Sequence, residues 1–152
     1  MNLDSFKVGN KQHASKTSYA IADTGTSLLY MTQTDYMRFQ NALTRKISSW
    51  DCSYVLSDGF PCYMDVLSCN SYYSKMPDLT VTLNGNSFTI PPEGYVLSGM
   101  SLEFGVGCVV AVVPISDSIG LWILGDTFLR NYATVFNYAN NTISFAVNIQ
   151  AP

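Results

Sequence analysis

The sequence is poor in charge and has no long apolar run. Of its 152 residues, 8 are Lys or Arg and 11 are Asp or Glu, so only 12% of the chain is charged and the formal net charge is −3. A nucleic-acid-binding protein needs a basic stripe, which this balance excludes. The longest apolar stretch, residues 108–115, is far shorter than the roughly 20 residues that span a bilayer. We therefore expect no nucleic-acid partner and no membrane segment.

Histidine and closely spaced cysteines are also scarce. His13 is the single histidine, and no Cys-x-x-Cys pair occurs among the four cysteines, Cys52, Cys62, Cys69 and Cys108. A zinc site normally shows closer paired spacing, so we expect no metal and no cofactor. Four cysteines allow three disulfide pairings. Joining neighbours gives Cys52–Cys62 and Cys69–Cys108; four reduced thiols, as in a cytosolic protein, are the alternative.

The N-terminus lacks the features of a secretory leader. Met-Asn-Leu-Asp-Ser-Phe-Lys contains no apolar core and no small-residue cleavage site. The low charge and the many Ser, Thr, Tyr and Asn residues are nevertheless typical of a secreted protein. We expect Met1 to be a gene-model start with the natural beginning upstream, and we expect an oxidising compartment.

Alternation of apolar and polar residues is present along most of the chain and predicts strands. Residues 79–83 and 88–90 form one predicted hairpin around Asn84-Gly85, which prolines 91 and 92 end. A second hairpin over 132–136 and 142–147 turns around Asn140-Asn141. Residues 106–113 are nearly all apolar, as in a strand buried on both faces. These patterns predict one all-β domain over residues 1–152.

Two helices are predicted. Apolar residues recur at spacings of three and four at Tyr36, Phe39, Leu43 and Ile47. Either Thr32 or Thr34 could cap this helix. A shorter helix over 126–130 would begin at Asp126, with the Asp126 carboxylate as its cap.

The segment that could carry catalytic chemistry is Tyr19-Ala-Ile-Ala-Asp23-Thr24-Gly25-Thr26-Ser27-Leu28-Leu29. An apolar strand leads into a glycine-containing bend that holds one carboxylate among hydroxyls, and a second apolar strand leaves it. Close backbone approach at Gly25 would let N–H groups and hydroxyls fix the carboxylate oxygens and tune its charge. An Asp-Thr-Gly turn by itself is most often only a turn.

A second motif, Leu121-Trp-Ile-Leu-Gly125-Asp126-Thr-Phe128-Leu-Arg130, follows about a hundred residues later. In this order and separation, the two motifs closely resemble the C-terminal lobe of the pepsin-like aspartic proteases. The similarity continues through Leu79-Thr-Val-Thr-Leu-Asn-Gly85, Ile90-Pro-Pro92, Tyr95-Val-Leu97, Tyr132-Ala-Thr-Val-Phe136 and Ala139-Asn-Asn141. The resemblance covers about residues 3–146. It implies a single lobe with a ψ-loop β-barrel or orthogonal sheets and one or two short helices, the N-terminal lobe being absent.

The resemblance also implies roles for individual positions. Asp23 matches the catalytic aspartate of the second lobe, and Gly25 and Thr26 match residues that contact the substrate backbone. Ile123 matches a wall of the pocket on the leaving-group side of the scissile bond. Residues that match the support of the active site are Thr24, Ser27, Leu124 and Gly125. Cys69 and Cys108 match the disulfide of the C-terminal lobe, and Cys52–Cys62 would be an additional bridge.

Two further positions receive a structural interpretation. Asp126 matches an aspartate that opens a short helix after the ψ crossing, so we do not assign it as a second catalytic acid. Asn140-Asn141-Thr142 is a formal glycosylation acceptor, and in the pattern of the family it is a hairpin turn.

The chain contains one Asp-Thr-Gly, whereas the chemistry of the family needs two aspartates that share a proton across a water. We expect the C-terminal half of a secreted, vacuolar or lysosomal acid endopeptidase. It would hydrolyse peptides only with an N-terminal lobe and would be inactive alone. Two alternatives stay open: a self-pairing dimer that rebuilds the site from two copies of Asp23, and a non-catalytic binding or inhibitor module of the same fold.

Overall fold

The structure is a computed structural model that describes residues 1–53, 55, 61–66, 68–102 and 105–148. Its strands are β1 Leu3–Val8, β2 Lys11–Ala14, β3 Ala20–Ala22, β4 Leu29–Thr32, β5 Tyr63–Met64, β6 Leu79–Leu83, β7 Asn86–Ile90, β8 Val96–Leu102, β9 Gly105–Val110, β10 Val112–Ile115, β11 Trp122–Leu124, β12 Tyr132–Asn137 and β13 Thr142–Val147. Its helices are α1 Gln33–Lys46, α2 Asn70–Tyr73, α3 Pro92–Tyr95 and α4 Asp126–Leu129, with a 3-10 helix over Asp117–Ile119.

The described strands form four open sheets with the orders β2-β1-β6-β7, β10-β4-β11-β3, β5-β9-β8 and β12-β13. The all-β lobe expected from the sequence is therefore confirmed. A closed barrel is not among the sheets of the described residues. The second sheet contains the parallel pairs β3–β11 and β4–β10 and the antiparallel pair β4–β11, so β11 lies between two strands that adjoin in sequence.

Both predicted hairpins are confirmed. Asn84 and Gly85 have φ angles of 47° and 79°, which give the two-residue turn between β6 and β7. Pro92 ends that hairpin and also opens α3. The second hairpin is the ribbon β12–β13, whose turn contains Asn141 at a φ of 52°.

The apolar run 106–113 is two strands rather than the single strand predicted. β9 pairs with β5 and β8, whereas β10 pairs with β4 in a different sheet. The change occurs at Ala111, whose N–H donates to the Tyr95 carbonyl and whose carbonyl accepts from the Leu29 N–H. Apolar character follows burial, which is continuous over residues 107–113, and therefore carries no signal for the change of sheet.

Helix α1 is confirmed with its apolar face buried, but neither of the two threonines predicted as its cap bonds the helix backbone through its side chain. Thr32 occupies the N-cap position without a side-chain bond to the helix backbone. The Thr34 N–H instead donates to Asp117 Oδ1 over 3.0 Å, and the Thr34 hydroxyl donates to Asp117 Oδ2. The carboxylate that caps α1 therefore comes from the 3-10 helix, far along the chain.

The core lies between these sheets and α1. Its largest fully buried side chains include Trp122, Tyr36, Tyr95, Phe6 and Phe39. Both disulfides expected from the sequence are present, Cys52–Cys62 and Cys69–Cys108. Disulfides persist in oxidising compartments, and the expected compartment fits this observation.

Candidate active site

The candidate site lies in the turn between β3 and β4. β3 ends at Ala22, Asp23 follows directly, and β11 passes between the two strands that the turn connects. The Asp23 N–H donates to the Leu124 carbonyl of β11 over 3.1 Å. Residues about a hundred positions apart therefore meet under one carboxylate, as the two sequence motifs predict.

Two hydrogen bonds, one to each oxygen, fix the Asp23 carboxylate. Oδ1 accepts from the Gly25 N–H at 2.9 Å, and Oδ2 accepts from the Thr26 hydroxyl at 2.6 Å. Both bonds favour the charged form, so the Thr26 hydroxyl first and the Gly25 N–H second lower the pKa of Asp23 below its ordinary value. The side chain is half-buried, which leaves part of an ionised carboxylate open to solvent.

The backbone below the turn is packed too closely for any side chain at Gly125. A Cβ there would lie 2.2 Å from the Thr26 carbonyl oxygen and 2.4 Å from that of Leu28. The same closeness lets the Asp126 N–H donate to the Thr26 carbonyl at 2.8 Å. The first N–H groups of α4 therefore receive partners from the turn.

Thr127 adds a second clamp on the turn that the sequence analysis did not identify. Its N–H and its hydroxyl both donate to the Ser27 carbonyl, at 3.1 and 3.0 Å. The bond from the Asp23 N–H to Leu124 holds one end of the segment 23–27 against β11. The bonds from Asp126 and Thr127 hold the other end against α4. These hydrogen bonds hold in place the backbone that carries the carboxylate.

The remaining predicted site residues surround this turn. Thr24, Gly25 and Ser27 are exposed, and Ile123 is half-buried on β11 opposite Ile21 and Tyr30. Leu124 and Gly125 are buried below the carboxylate. Among the described hydrogen bonds, none joins the Thr24 or Ser27 hydroxyl to Asp23, so their supporting role stays a prediction.

Asp126 begins α4, as predicted, but its carboxylate is not the cap. The N-cap residue is Gly125, and no side chain in the described residues caps this helix. The first two N–H groups of α4, those of Asp126 and Thr127, already donate to the Thr26 and Ser27 carbonyls. Asp126 is exposed in the first turn, where the helix dipole favours a negative charge.

A fully buried carboxylate, Asp35, lies in the first turn of α1. It accepts hydrogen bonds from the Ser15 hydroxyl at 2.8 Å, the Lys16 N–H at 2.9 and 3.0 Å, and the Thr32 hydroxyl at 2.9 Å. The Trp122 indole N–H of β11 donates to it at 3.1 Å. The half-exposed Arg38 guanidinium completes the set at 3.2 Å. Asp35 thus ties α1, β4 and the start of β11 together.

Sequence reasoning missed Asp35, although one signal was available. Thr32-x-x-Asp35 before an apolar run has the spacing of a helix-start motif, in which the threonine and the acidic residue lie close together. That spacing predicts the bond between Thr32 and Asp35. It does not predict the donors at Ser15, Lys16 and Trp122, which only the fold brings near.

An open pocket of about 520 Å³ lies elsewhere, between β7 and the ribbon. Its lining residues are Ser87, Phe88, Thr89, Pro91, Asn131, Tyr132, Phe145, Val147 and Asn148. The lining includes no residue of the turn that holds Asp23. Over the part of the chain that the structure describes, no helix is both long and apolar enough to cross a bilayer.

Comparison with known proteins identifies the family. A sequence model of the eukaryotic aspartyl proteases matches residues 1–148, and the chain belongs to this family. It is 37% identical over 150 residues to pepsin A of Gallus gallus, covering 96% of this chain and 35% of that protein. It is 34% identical over 152 residues to gastricsin of Homo sapiens, covering 96% of this chain and 34% of that protein.

A third relative shows a similar identity and coverage. Cathepsin D of Dictyostelium discoideum is 34% identical over 136 residues, which cover 88% of this chain and 32% of that protein. The chain spans about a third of the length of the curated relatives that it matches.

Proposed function

We propose that this chain is one lobe of a two-lobed acid endopeptidase and that Asp23 is one of the two catalytic aspartates. The observation that carries the proposal is the fixed, partly solvent-open Asp23 carboxylate, with one oxygen bonded to Gly25 and the other to Thr26. Membership of the aspartyl protease family supports the assignment. The relatives are about three times as long, which leaves room for a second lobe.

A second carboxylate would supply the other acid–base group that the reaction needs beside Asp23. Two carboxylates that share one site cannot both ionise, so they share one proton, and pepsin-like dyads are the standard case. The ionised carboxylate takes a proton from the bound water, which attacks the peptide carbonyl carbon. The protonated carboxyl donates to the carbonyl oxygen. Since its two bonds favour the charged form of Asp23, the shared proton would be retained only when the partner carboxylate is present.

The exposed parts of the turn would bind the peptide and the partner lobe. Gly25 and Thr26 lie next to the carboxylate, where their backbone could pair with an extended substrate. The half-buried Ile123 would form an apolar wall on the leaving-group side. The Thr24 and Ser27 hydroxyls, exposed in this chain, would donate across the interface, with Leu124 and Gly125 holding the backbone below.

Apolar side chains beside the turn support an N-terminal lobe as the partner. Tyr19 is 62% exposed and Ile21 is 44% exposed, on either side of the start of β3. The face of the ribbon that packs on Phe88 also carries Phe136, Ile143 and Val147. Exposed apolar groups of this kind mark interaction surfaces. The two disulfides support a secreted, vacuolar or lysosomal location.

Cleavage of an unfolded protein at acidic pH tests the proposal. The chain would be assayed alone over a wide concentration range, and again after refolding with the N-terminal lobe of a pepsin-like relative. We expect cleavage only in the mixture. Asp23→Asn should abolish it, and the matched variant Asp126→Asn should retain it because that carboxylate is exposed and outside the site.

Two results would reject the proposal. Activity of the chain alone that rises with the square of its concentration and disappears in Asp23→Asn would indicate a self-paired protease. A stable one-to-one complex with the N-terminal lobe that never cleaves would indicate a non-catalytic binding module.

A further inference from the structure

The tip of the ribbon carries a sequence motif that the catalytic proposal does not use. Asn140-Asn141-Thr142 is the only Asn-x-Ser/Thr triplet among the 152 residues. It lies in the turn that joins β12 to β13. We propose that Asn140 is a site of N-linked glycosylation.

Exposure of the whole tip supports the site. Tyr138, at the start of the turn, is 87% exposed, and residues 139–144 are all exposed. In the described residues, the Asn140 side-chain amide and the Thr142 hydroxyl have no hydrogen-bond partner. Glycosyl transfer needs both of these groups, the amide as acceptor and the hydroxyl for recognition of the triplet. Neither has to be withdrawn from an existing contact.

The turn is held by local bonds alone. The Asn140 main-chain N–H donates to Asn137 Oδ1 at 3.2 Å, and Asn137 and Thr142 form the last pair of the ladder. Asn141 adopts a φ of 52°, a conformation that asparagine tolerates better than most residues. Since no described bond connects residues 138–141 to another element, a sugar on Asn140 would displace nothing.

The disulfides place the chain in a compartment compatible with this modification. Cys52–Cys62 and Cys69–Cys108 require an oxidising environment. In the eukaryotic cells in which this protease family occurs, the oxidising lumen is also where N-linked oligosaccharides are transferred.

The transfer step balances with a lipid-pyrophosphate-linked oligosaccharide as donor. A bond forms between Asn140 Nδ2 and C1 of the first sugar, and the bond between C1 and the pyrophosphate oxygen breaks. The lipid pyrophosphate leaves, the amide nitrogen loses one proton, and no atom is oxidised or reduced.

A glycan at this position also constrains the ribbon as an interaction surface. In the described sheets, β12 and β13 pair only with each other, so both strands of the ribbon have a free edge. Free edges are prone to pair with other chains. A hydrated sugar at the tip would obstruct such pairing while leaving the apolar side chains nearer the lobe accessible.

Expression of the chain with a cleavable leader in secreting eukaryotic cells tests the site. We expect one glycan, seen as a single mobility shift that peptide-N-glycosidase reverses. The shift should be lost completely in Asn140→Gln and in Thr142→Ala. It should persist in Thr142→Ser and in Asn141→Gln, which keep the triplet.

A control variant shows whether the chain reaches the lumen. Asn86→Thr creates the triplet Asn84-Gly85-Thr at the β6–β7 turn, which is also exposed. If this variant gains one glycan while the unaltered chain carries none, the proposal is overturned. Native, undenatured protein gives the last readout. Release of the glycan by the glycosidase under these conditions supports an exposed tip, and release only after denaturation contradicts it.

Discussion

At the scale of the residue, Gly125, directly after β11, is a position that tolerates no side chain. An alanine Cβ would lie 2.2 Å from the Thr26 carbonyl oxygen. That carbonyl already accepts a hydrogen bond from the Asp126 N–H. We expect Gly125→Ala to lower the free energy of unfolding by about 3 kcal/mol, at the upper end of overpacking effects. Urea unfolding followed by tryptophan fluorescence measures this change.

Gly25→Ala is the matched control for that experiment. Its Cβ would contact only Asp23 Oδ1, at 3.3 Å, and Gly25 is exposed. We expect stability near that of the unaltered chain. Equal midpoints for both variants would mean that the close approach at Gly125 carries no energetic cost.

Asp35 is the second residue whose replacement should have a large effect. Asp35→Asn removes the charge and presents an NH₂ group to a site filled with donors, including the buried Trp122 indole N–H. A buried charged group that loses its complement typically costs 3–5 kcal/mol, and we expect about 3 kcal/mol here because Arg38 is 40% exposed.

Thermal unfolding and the tryptophan fluorescence, to which Trp122 contributes together with Trp50, provide the measurements for Asp35→Asn. The exposed Asp65 gives a neutral comparison as Asp65→Asn, since it makes no hydrogen bond in the described residues. The role assigned to Asp35 is wrong if both variants unfold at the same temperature with unchanged emission.

At the scale of the element, α1 depends on a cap from a distant segment. Asp117 accepts from the Thr34 hydroxyl and the Thr34 N–H, and these bonds, in that order, lower the pKa of its carboxyl. A group with a lowered folded-state pKa stabilises the fold above its ordinary titration range and loses that effect as the pH falls through the folded value. The cap should therefore weaken in strong acid.

Unfolding of Asp117→Asn at several pH values tests this dependence. At neutral pH we expect a loss of about 1 kcal/mol, the usual contribution of a helix cap. The difference from the unaltered chain should shrink towards zero as acid protonates Asp117. A difference that stays constant across the whole pH range would show that the charge of the carboxylate has no part in the cap.

Elements with a local pattern could be predicted from the sequence, and elements set by long-range pairing could not. The spacing from Tyr36 to Ile47 predicts α1, and Asn84-Gly85 predicts a hairpin, because helix and turn each depend on neighbouring residues. The cap at Asp117 and the change of sheet at Ala111 depend on partners remote in sequence. Amphipathic patterns contain no information about which partner is chosen.

The candidate site follows the same division. The two motifs around Asp23 and Gly125 were sufficient to predict which segments meet, through their resemblance to a family. The bonds from Gly25 and Thr26 to the carboxylate follow from a short turn. The clamp by Thr127 and the contacts of Asp35 have no local signature that names their partners.

At the scale of the whole molecule, the exposed apolar groups should cause self-association. Val135 is 62% exposed and Val147 is 76% exposed on the ribbon, in addition to Tyr19 and Ile21 near the site. We expect sedimentation velocity to show a mass that increases with concentration. Ile21→Glu combined with Val147→Glu should restore the monomer, and Lys75→Glu, on an already charged surface position, should not. A monomer at every concentration would contradict this expectation.

The insertion of β11 between β3 and β4 also determines when the site can form during synthesis. The Leu124 carbonyl and the Thr127 donors that secure the turn of Asp23 are made about a hundred residues after it. Until the ribosome has released that segment, β3 and β4 lack the strand that separates them, and long-range pairing of this kind is slow. Asp23 therefore leaves the ribosome before the segment that fixes its turn, and it reaches its final position only after that segment has paired.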